Sequence, residues 1–493
     1  LIHITHDGGE NWENINPPDL PDWALISIIE ASPHDAGTAY VAATRYKSHD
    51  DAPYLYKTND YGKTWKKIVN GIPEDDFTRV IREDPEQRGL LFAGTERALY
   101  VSFDDGENWQ ELRLNLPVVP IHDLVIAQGD LVVCTHGRSF WILDDISPLR
   151  QIAADAADDK VRLFKPRDTI RYPGGGGFSG HAPIPGRNYA FAAGMMTTYD
   201  FVQKPGEPAE RIMLDAGQNP DNGVVVQYYL PEAPEGEVTL TFKDSFGNVV
   251  RSFTSTKPDD AYYKDKPGLT RPTPIPAKAG ANRFVWDMRH ENATEVPDDS
   301  GSMGFARGPN GPRSKPGEYV VELKVGDAVY SREFRILPYE KIAVPQEDYD
   351  EQLDLQLKVR DKLSELHTAV NQIRNIRKQV ESWTARMDDE KVSEAAKALN
   401  EKLYEVEGEL IQYRAKSTQD TLNFPVMINA KLAALIAVIG SAEGKPTQQS
   451  YDVFEDLAGR TDAQLAKLKE IIEKDVAAFS DLIRSADLPA VAP

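Results

Sequence analysis

The sequence predicts a multidomain chain, mainly β and then α: blades of a β-propeller, an immunoglobulin-like or fibronectin-like β-sandwich, and a C-terminal helical bundle. Three observations carry this. A turn motif recurs near the N-terminus at the spacing of a propeller blade. Period-two alternation then runs through the middle of the chain. From Gln346 onward the hydrophobic period becomes that of helices.

The motif is S/T-x-D-x-G-x-x-W. It occurs as Thr5-His6-Asp7-Gly8-Gly9-Glu10-Asn11-Trp12, again from Thr58 to Trp65, and again from Ser102 to Trp109. The three aspartates are 53 and 44 residues apart, about one blade of four short strands. An apolar strand precedes each copy: Leu1 to Ile4, Tyr54 to Tyr56 and Leu99 to Val101. A carboxylate and a hydroxyl at this spacing suit side-chain bonds to a tight turn. The glycine supplies a positive φ. The tryptophan starts the next strand and wedges between sheets. Pro120 to Ile146 reads as a further blade without the motif, ending in Leu143-Asp144-Asp145.

Two more domains follow a segment read as a linker, 147–184, with acidic Asp155 to Asp159 and the turn Pro173 to Gly177. The sandwich is expected over 185–340, with a hairpin around Asp244-Ser245-Phe246-Gly247. Within it, Glu291 to Lys315 reads as a solvated Gly/Pro/Asp loop, with Asp298 and Asp299 as its weaker ion-binding alternative. The bundle is expected over 341–493, opened by a near-heptad seam of Val359, Leu363, Leu366, Val370, Ile373, Val380 and Trp383. Three domains suit 493 residues at ~150 per domain.

Composition excludes some partners. With 78 acidic against 56 basic residues the net charge is −22, which repels nucleic acid and anionic membrane surfaces. No apolar run is long enough to span a bilayer. The single cysteine, Cys134 in Leu131-Val132-Val133-Cys134, allows no internal disulfide and reads as a buried core thiol.

The repeated motif resembles the Asp-box, or bacterial neuraminidase (BNR) repeat, of sialidases and sortilin-like propellers. That resemblance implies a rim turn away from any active centre. Thr5, Asp7, Gly9, Trp12, Thr58, Asp60, Gly62, Trp65, Ser102, Asp104, Gly106 and Trp109 are therefore expected to be structural. A wider likeness rests on His136-Gly137-Arg138-Ser139-Phe140-Trp141-Ile142-Leu143-Asp144-Asp145, Asn219-Pro220 through Leu230, Asn282 to Asp287, Pro316-Gly317-Glu318-Tyr319 and Asn423-Phe424-Pro425. These segments resemble exported bacterial sortilin-like proteins often labelled glycosyl hydrolases. The resemblance implies an extracellular, cell-surface or periplasmic location. It also implies a longer parent, in which 1–146 are the C-terminal blades of a propeller completed by an N-terminal portion or another polypeptide.

The expected function is that of a non-catalytic exported binding or scaffold protein taking a protein, peptide or glycan ligand. No metal motif, phosphate loop or nucleophile elbow occurs, and no cofactor, metal or catalytic residue is assigned. The alternative is a sialidase-like glycoside hydrolase using an arginine cluster drawn from Arg45, Arg79, Arg82, Arg97 and Arg138, with catalytic residues partly elsewhere. His136 and Arg138, beside Gly137, are the candidate binding residues, against a reading in which Arg138 merely ties the last blade to its neighbour.

Overall fold

A computed structural model describes residues 1–154, 160–173, 185–192, 195–202, 210–304, 310–387 and 389–485. The acidic run Asp155 to Asp159 and the glycines of the Pro173 to Gly177 turn lie outside these residues. The chain is a mixed β and α structure with a C-terminal helical region, in two compact units, Leu1–Lys160 and Val161–Pro493.

The first unit is a series of antiparallel sheets. β1 (His3–Ile4) pairs with β2 (Glu13–Asn14). β3 (Leu25–Ala31), β4 (Ala39–Arg45), β5 (Asp50–Thr58) and β6 (Lys66–Lys67) form a four-stranded meander. β7 (Thr78–Glu83), β8 (Leu91–Thr95), β9 (Leu99–Ser102) and β10 (Gln110–Glu111) repeat it. β11 (Ile121–Ala127), β12 (Asp130–Thr135) and β13 (Phe140–Leu143) make a three-stranded sheet, followed by α1 (Ser147–Ala154). Helix α1 is pinned by Arg150, which donates to the fully buried carboxylate of Asp84 at 2.9 Å.

Consecutive sheets stack face to face. Ile2 packs with Val41, Ala43, Tyr54 and Tyr56. Tyr40, Ala42 and Leu55 pack with Ile81, Leu91 and Ala93. Val80, Phe92 and Val101 pack with Ile121, Leu124, Leu131 and Val133. Dry apolar interfaces of this kind are the main favourable term in sheet stacking.

The three motif turns share one hydrogen-bond pattern. The Thr5, Thr58 and Ser102 hydroxyls donate to Asp7, Asp60 and Asp104 at 2.8, 2.9 and 2.8 Å. Each accepts the amide of Gly9, Gly62 or Gly106 at 2.9 Å. Each aspartate then takes both the amide and the side chain of the residue four further on, Asn11, Thr64 or Asn108. The amide of Asn11, then its side chain, hold the Asp7 carboxyl down at about 2. The tryptophans differ. Trp65 and Trp109 donate their indole N–H to the carbonyls of Ile15 and Ile68 on the preceding sheet, at 2.7 and 2.8 Å. Trp12 bonds only within its own turn, to Gly9, and is 62% exposed against 4% for Trp109.

Both ends of the stack carry uncovered apolar side chains. On β3, Ile29 shares a face with Val41, yet β1 and β2 leave it exposed. On the last sheet, Val125, Phe140 and Ile142 share the face turned away from the neighbouring sheet and are exposed. Cys134 lies on this same face, opposite Phe140, and is half-buried rather than a core thiol, because the core face of β12 belongs to Leu131 and Val133.

In the second unit, β14 (Arg162–Leu163) and β15 (Thr169–Arg171) come from the segment read as a linker. A separate three-stranded sheet contains β16 (Gly186–Ala192), β17 (Met195–Val202) and β18 (Glu210–Met213). β14 joins β19 (Val224–Leu230) and later β22 (Gly280–Trp286). β15 joins a five-stranded sheet with β20 (Val238–Asp244), β21 (Val249–Thr254), β23 (Gly317–Val325) and β24 (Ala328–Pro338). β20 and β21 form the hairpin expected at Asp244 to Gly247. The two sheets share a core around Trp286, whose ring stacks on Phe242 at 4.3 Å. A one-turn helix, α2 (Asp260–Tyr263), lies between β21 and β22.

The helices are α3 (Gln346–Thr384), α4 (Glu390–Leu410), α5 (Ile428–Ile439), α6 (Gln448–Ile471) and α7 (Ala477–Ser485). The predicted seam of α3 is buried from Val359 to Val380, while Trp383 packs half-buried at its edge. The last two helices run on through a π turn at Ile472–Val476.

The loop over Glu291 to Lys315 is largely packed in its described part, with Glu291, Thr294, Asp298 and Asn310 exposed. Ala293 and Val296 enter the helical core, and Gly301 lies so close to Ser417 that a Cβ would sit 2.4 Å from its carbonyl oxygen. Asp299 is occupied by the Ser302 amide and hydroxyl, at 2.9 and 2.6 Å. This loop sets a seam between sheets and helices, flanked by His290, half-buried just before it, and His367, buried on α3. His367 bonds the Thr294 carbonyl at 2.5 Å. Burial, then Arg360, pushes His290 down to about 4, and burial lowers His367 too.

Two outcomes are expected. Trp109→Ala should destabilise the first unit by about 3–5 kcal/mol and Trp12→Ala by under ~0.5, read from thermal melts. For the histidines, the folded pKa lies below the unfolded value of about 6.5, so the unfolded chain takes up protons first. Stability is full above about pH 6.5 and falls as pH drops towards 4, by up to about 3 kcal/mol for His290. Urea midpoints at pH 7 and pH 5 should differ less in His290→Gln than in the parent chain.

Candidate functional site

In a meander, the first strand begins where the second ends. The starts of β3, β7 and β11 and the ends of β4, β8 and β12 therefore share one end of the stack, opposite the motif turns. At that end each first strand carries a β-bulge. The register slips between Ile26 and Ile28, between Thr78 and Val80, and between Ile121 and Asp123. The extra residues are Ser27, Arg79 and His122. A bulge residue is released from the ladder and its side chain is re-aimed, which is why bulges gather at binding sites.

Around these three the loops add further groups. Arg79 donates to Glu96 through Nε at 2.8 Å and stacks over Phe77 and Tyr46, 5.0 and 5.5 Å from the ring centroids. Tyr46 and Phe77 stack on each other at 4.9 Å. His122 meets His136 from the β12–β13 loop, with Nε2 and Nδ1 3.2 Å apart. Partial burial, then Arg79 and His136, push His122 below the usual imidazole value, while Glu96 opposes them. Beneath the surface, Asp76 is buried and accepts bonds from Thr95, Tyr100 and the Arg97 amide. Its desolvation outweighs those bonds and raises its pKa.

The arginines named from sequence separate into different roles. Arg45 pairs with Asp50 at 3.2 Å, and Arg97 with Asp75 at 2.8 Å. Burial works against ionisation of Asp50, but bonds from Tyr54, Ala52 and Arg45 outweigh it and hold its carboxyl low. Arg82 lies deeper and bridges three first strands, bonding Glu30 at 2.7 Å, Asp123 at 3.0 Å and the Leu124 carbonyl at 2.9 Å. Arg138 is exposed in the β12–β13 loop, where its carbonyl accepts the Trp141 indole at 2.9 Å. Its guanidinium makes no tie to a neighbouring sheet among the described residues. His136 joins the bulge cluster, and Arg138 shares its loop. Ser27, Tyr46, Phe77, Glu96 and His122 were not singled out from sequence. Lining up the repeats strand by strand sets Ile26-Ser27-Ile28 against Thr78-Arg79-Val80 and Ile121-His122-Asp123, which is the signal for Ser27 and His122.

Among the described residues no three or more His, Cys, Asp or Glu side chains are grouped to hold a metal ion, and no helix is long and apolar enough to cross a membrane. Two grooves of about 700 and 810 Å³ lie between α3 and α6 and between α4 and α6, remote in sequence from the bulge residues.

No protein-family model matches the chain, and no curated protein matches it. Several solved structures show likeness. YCF48 bound to D1 peptide is 17% identical over 45% of this chain and 68% of its own, with a TM-score of 0.22. PorZ, a bacterial surface component of the type-IX secretion system of Porphyromonas gingivalis, is 12% identical over 66% of this chain and 40% of its own, at 0.22. The GH74 xyloglucanase from Xanthomonas campestris is 13% identical over 67% and 40%, at 0.20. The chain thus spans about two fifths of the latter two. Superpositions this loose carry no argument about fold or function.

Arg82 and Arg138 should behave oppositely. Arg82→Ala is expected to destabilise the first unit by ~1–3 kcal/mol, since it strands Glu30 and a strand carbonyl. Arg138→Ala should leave the melting temperature unchanged, as checked by paired thermal melts.

Proposed function

We propose that this chain is a non-catalytic, exported binding or scaffold protein. In this reading residues 1–146 are Asp-box blades of a sortilin-like β-propeller, and the two face-packed sheets after them are an immunoglobulin-like sandwich. The motif turns are structural. The ligand face is the bulge end, with Ser27, Tyr46, Phe77, Arg79, His122, His136 and Arg138, and its ligand is a peptide or protein segment. The uncovered faces around Ile29 and around Val125, Phe140 and Ile142 are covered by further sheets of the same kind, from an N-terminal propeller portion.

One observation carries the choice against hydrolysis. Four of the five candidate arginines are already neutralised inside the chain: Arg45 by Asp50, Arg79 by Glu96, Arg82 by Glu30 and Asp123, and Arg97 by Asp75. An arginine cluster that grips a substrate carboxylate needs open guanidinium edges. Among the described residues, Arg138 is the one of the five without a carboxylate partner.

The test combines turnover and binding. Sialyllactose and xyloglucan oligosaccharides incubated with the chain should release neither sialic acid nor new reducing ends. On an array of random peptides, the chain should retain ligands whose signal falls at least ~tenfold in Tyr46→Ala and Arg138→Ala. Turnover that disappears in Glu96→Gln would establish the hydrolase instead. Peptide retention equal in both alanine variants would remove the bulge end as the ligand face.

A further inference from the structure

We propose that His122 and His136 form an open site for one divalent transition-metal ion of the Zn²⁺, Ni²⁺ or Cu²⁺ type. Imidazole nitrogens are the preferred side-chain ligands for these ions. Two nitrogens bound to one ion at about 2.0–2.1 Å stand roughly 3.0–3.4 Å apart when the angle between them runs from square to tetrahedral. His122 Nε2 and His136 Nδ1 stand 3.2 Å apart in a hydrogen bond, which the ion replaces once both rings carry their proton on the other nitrogen.

The pair is held from both sides. His122 is the bulge residue of β11, so its side chain is set by a backbone irregularity and not by strand alternation. His136 donates its amide to the Pro120 carbonyl at 2.9 Å, two residues before that bulge. Its loop is closed by the Thr135 hydroxyl, which donates to the Ser139 carbonyl at 2.6 Å, and Gly137 takes the positive φ of 86° that the turn requires. The rings meet edge to face with centroids 4.8 Å apart, and both residues are exposed. The remaining coordination positions are open to water or to a carboxylate or imidazole of a bound ligand.

The surrounding charge permits a cation. Arg79 faces His122, but its guanidinium is neutralised by Glu96, and Asp123 follows His122 in the chain. The net charge of −22 adds a favourable long-range field. The site stands on the geometry of the two histidines and does not depend on what the bulge end binds.

Calorimetric titration of the tag-free chain with ZnCl₂, NiCl₂ and CuCl₂ tests it. One ion per chain is expected, in the micromolar range. Affinity should fall at least tenfold in His122→Ala and in His136→Ala, and should be unchanged in His49→Ala, an exposed histidine on another loop. Both alanine variants should melt like the parent chain. His122→Gln and His136→Gln serve as the second pair, with the same loss expected. The Cu²⁺ complex should show hyperfine coupling to two imidazole nitrogens by pulsed electron paramagnetic resonance. Absence of saturable binding, or an isotherm that survives loss of either histidine, would overturn the proposal.

Discussion

The indole N–H of Trp65 and that of Trp109 each donate to a backbone carbonyl of the preceding sheet, and the first unit is organised by that joint. Trp65 reaches Ile15, and Trp109 reaches Ile68. The turn that delivers each indole is itself locked by a hydroxyl, an aspartate and a glycine. The glycines are fixed twice over. Gly62 and Gly106 take positive φ, and a Cβ on either would strike the side chain of Ile15 or Ile68 at 2.5 or 2.7 Å. Turn and stacking contact are thus one device. Once two joints set the sheets in phase, the first strands line up, and their bulges bring Ser27, Arg79 and His122 to the same end.

Arg82 shows the same phase from within the stack. Its three bonds span β3, β7 and β11, which requires those strands to lie side by side at a fixed height. The second unit uses a different device. Arg171 is buried at 4% exposure, bonds the Ser314 carbonyl at 3.1 Å and pairs with Glu443 at 3.2 Å. It thereby connects β15, the loop after β22 and the segment between α5 and α6. Together with the loop carrying Ala293 and Val296, this makes the helices depend on the sheets they pack beside.

Much of this was legible in sequence where a period or a spacing carried it. The motif copies, the hairpin at Asp244 and the seam of α3 each repeat often enough to stand above chance. The bulges were not legible, because one inserted residue looks like ordinary alternation until the repeats are aligned. Arg79 was named without Glu96, because a pairing 17 residues apart depends on which strand ends meet. The loop from Glu291 read as solvated because Gly, Pro and Asp dominate it, yet those small residues let it approach Ser417 closely. β14 and β15 are two and three residues long, too short to show a period, and fell inside the presumed linker. The apolar neighbours of Cys134 point to the core, but strand alternation sets it on the opposite face.

The central claim is that the first unit is a stack of like sheets whose last sheet exposes an apolar face of Val125, Phe140 and Ile142. Sedimentation velocity from about 1 to 50 µM measures this directly, comparing the chain with the triple variant Val125→Asp, Phe140→Asp, Ile142→Asp. Without a covering sheet, the account predicts concentration-dependent association of the parent chain and a monomeric, equally folded triple variant. A parent chain that stays monomeric throughout, with the triple variant sedimenting identically, would contradict it.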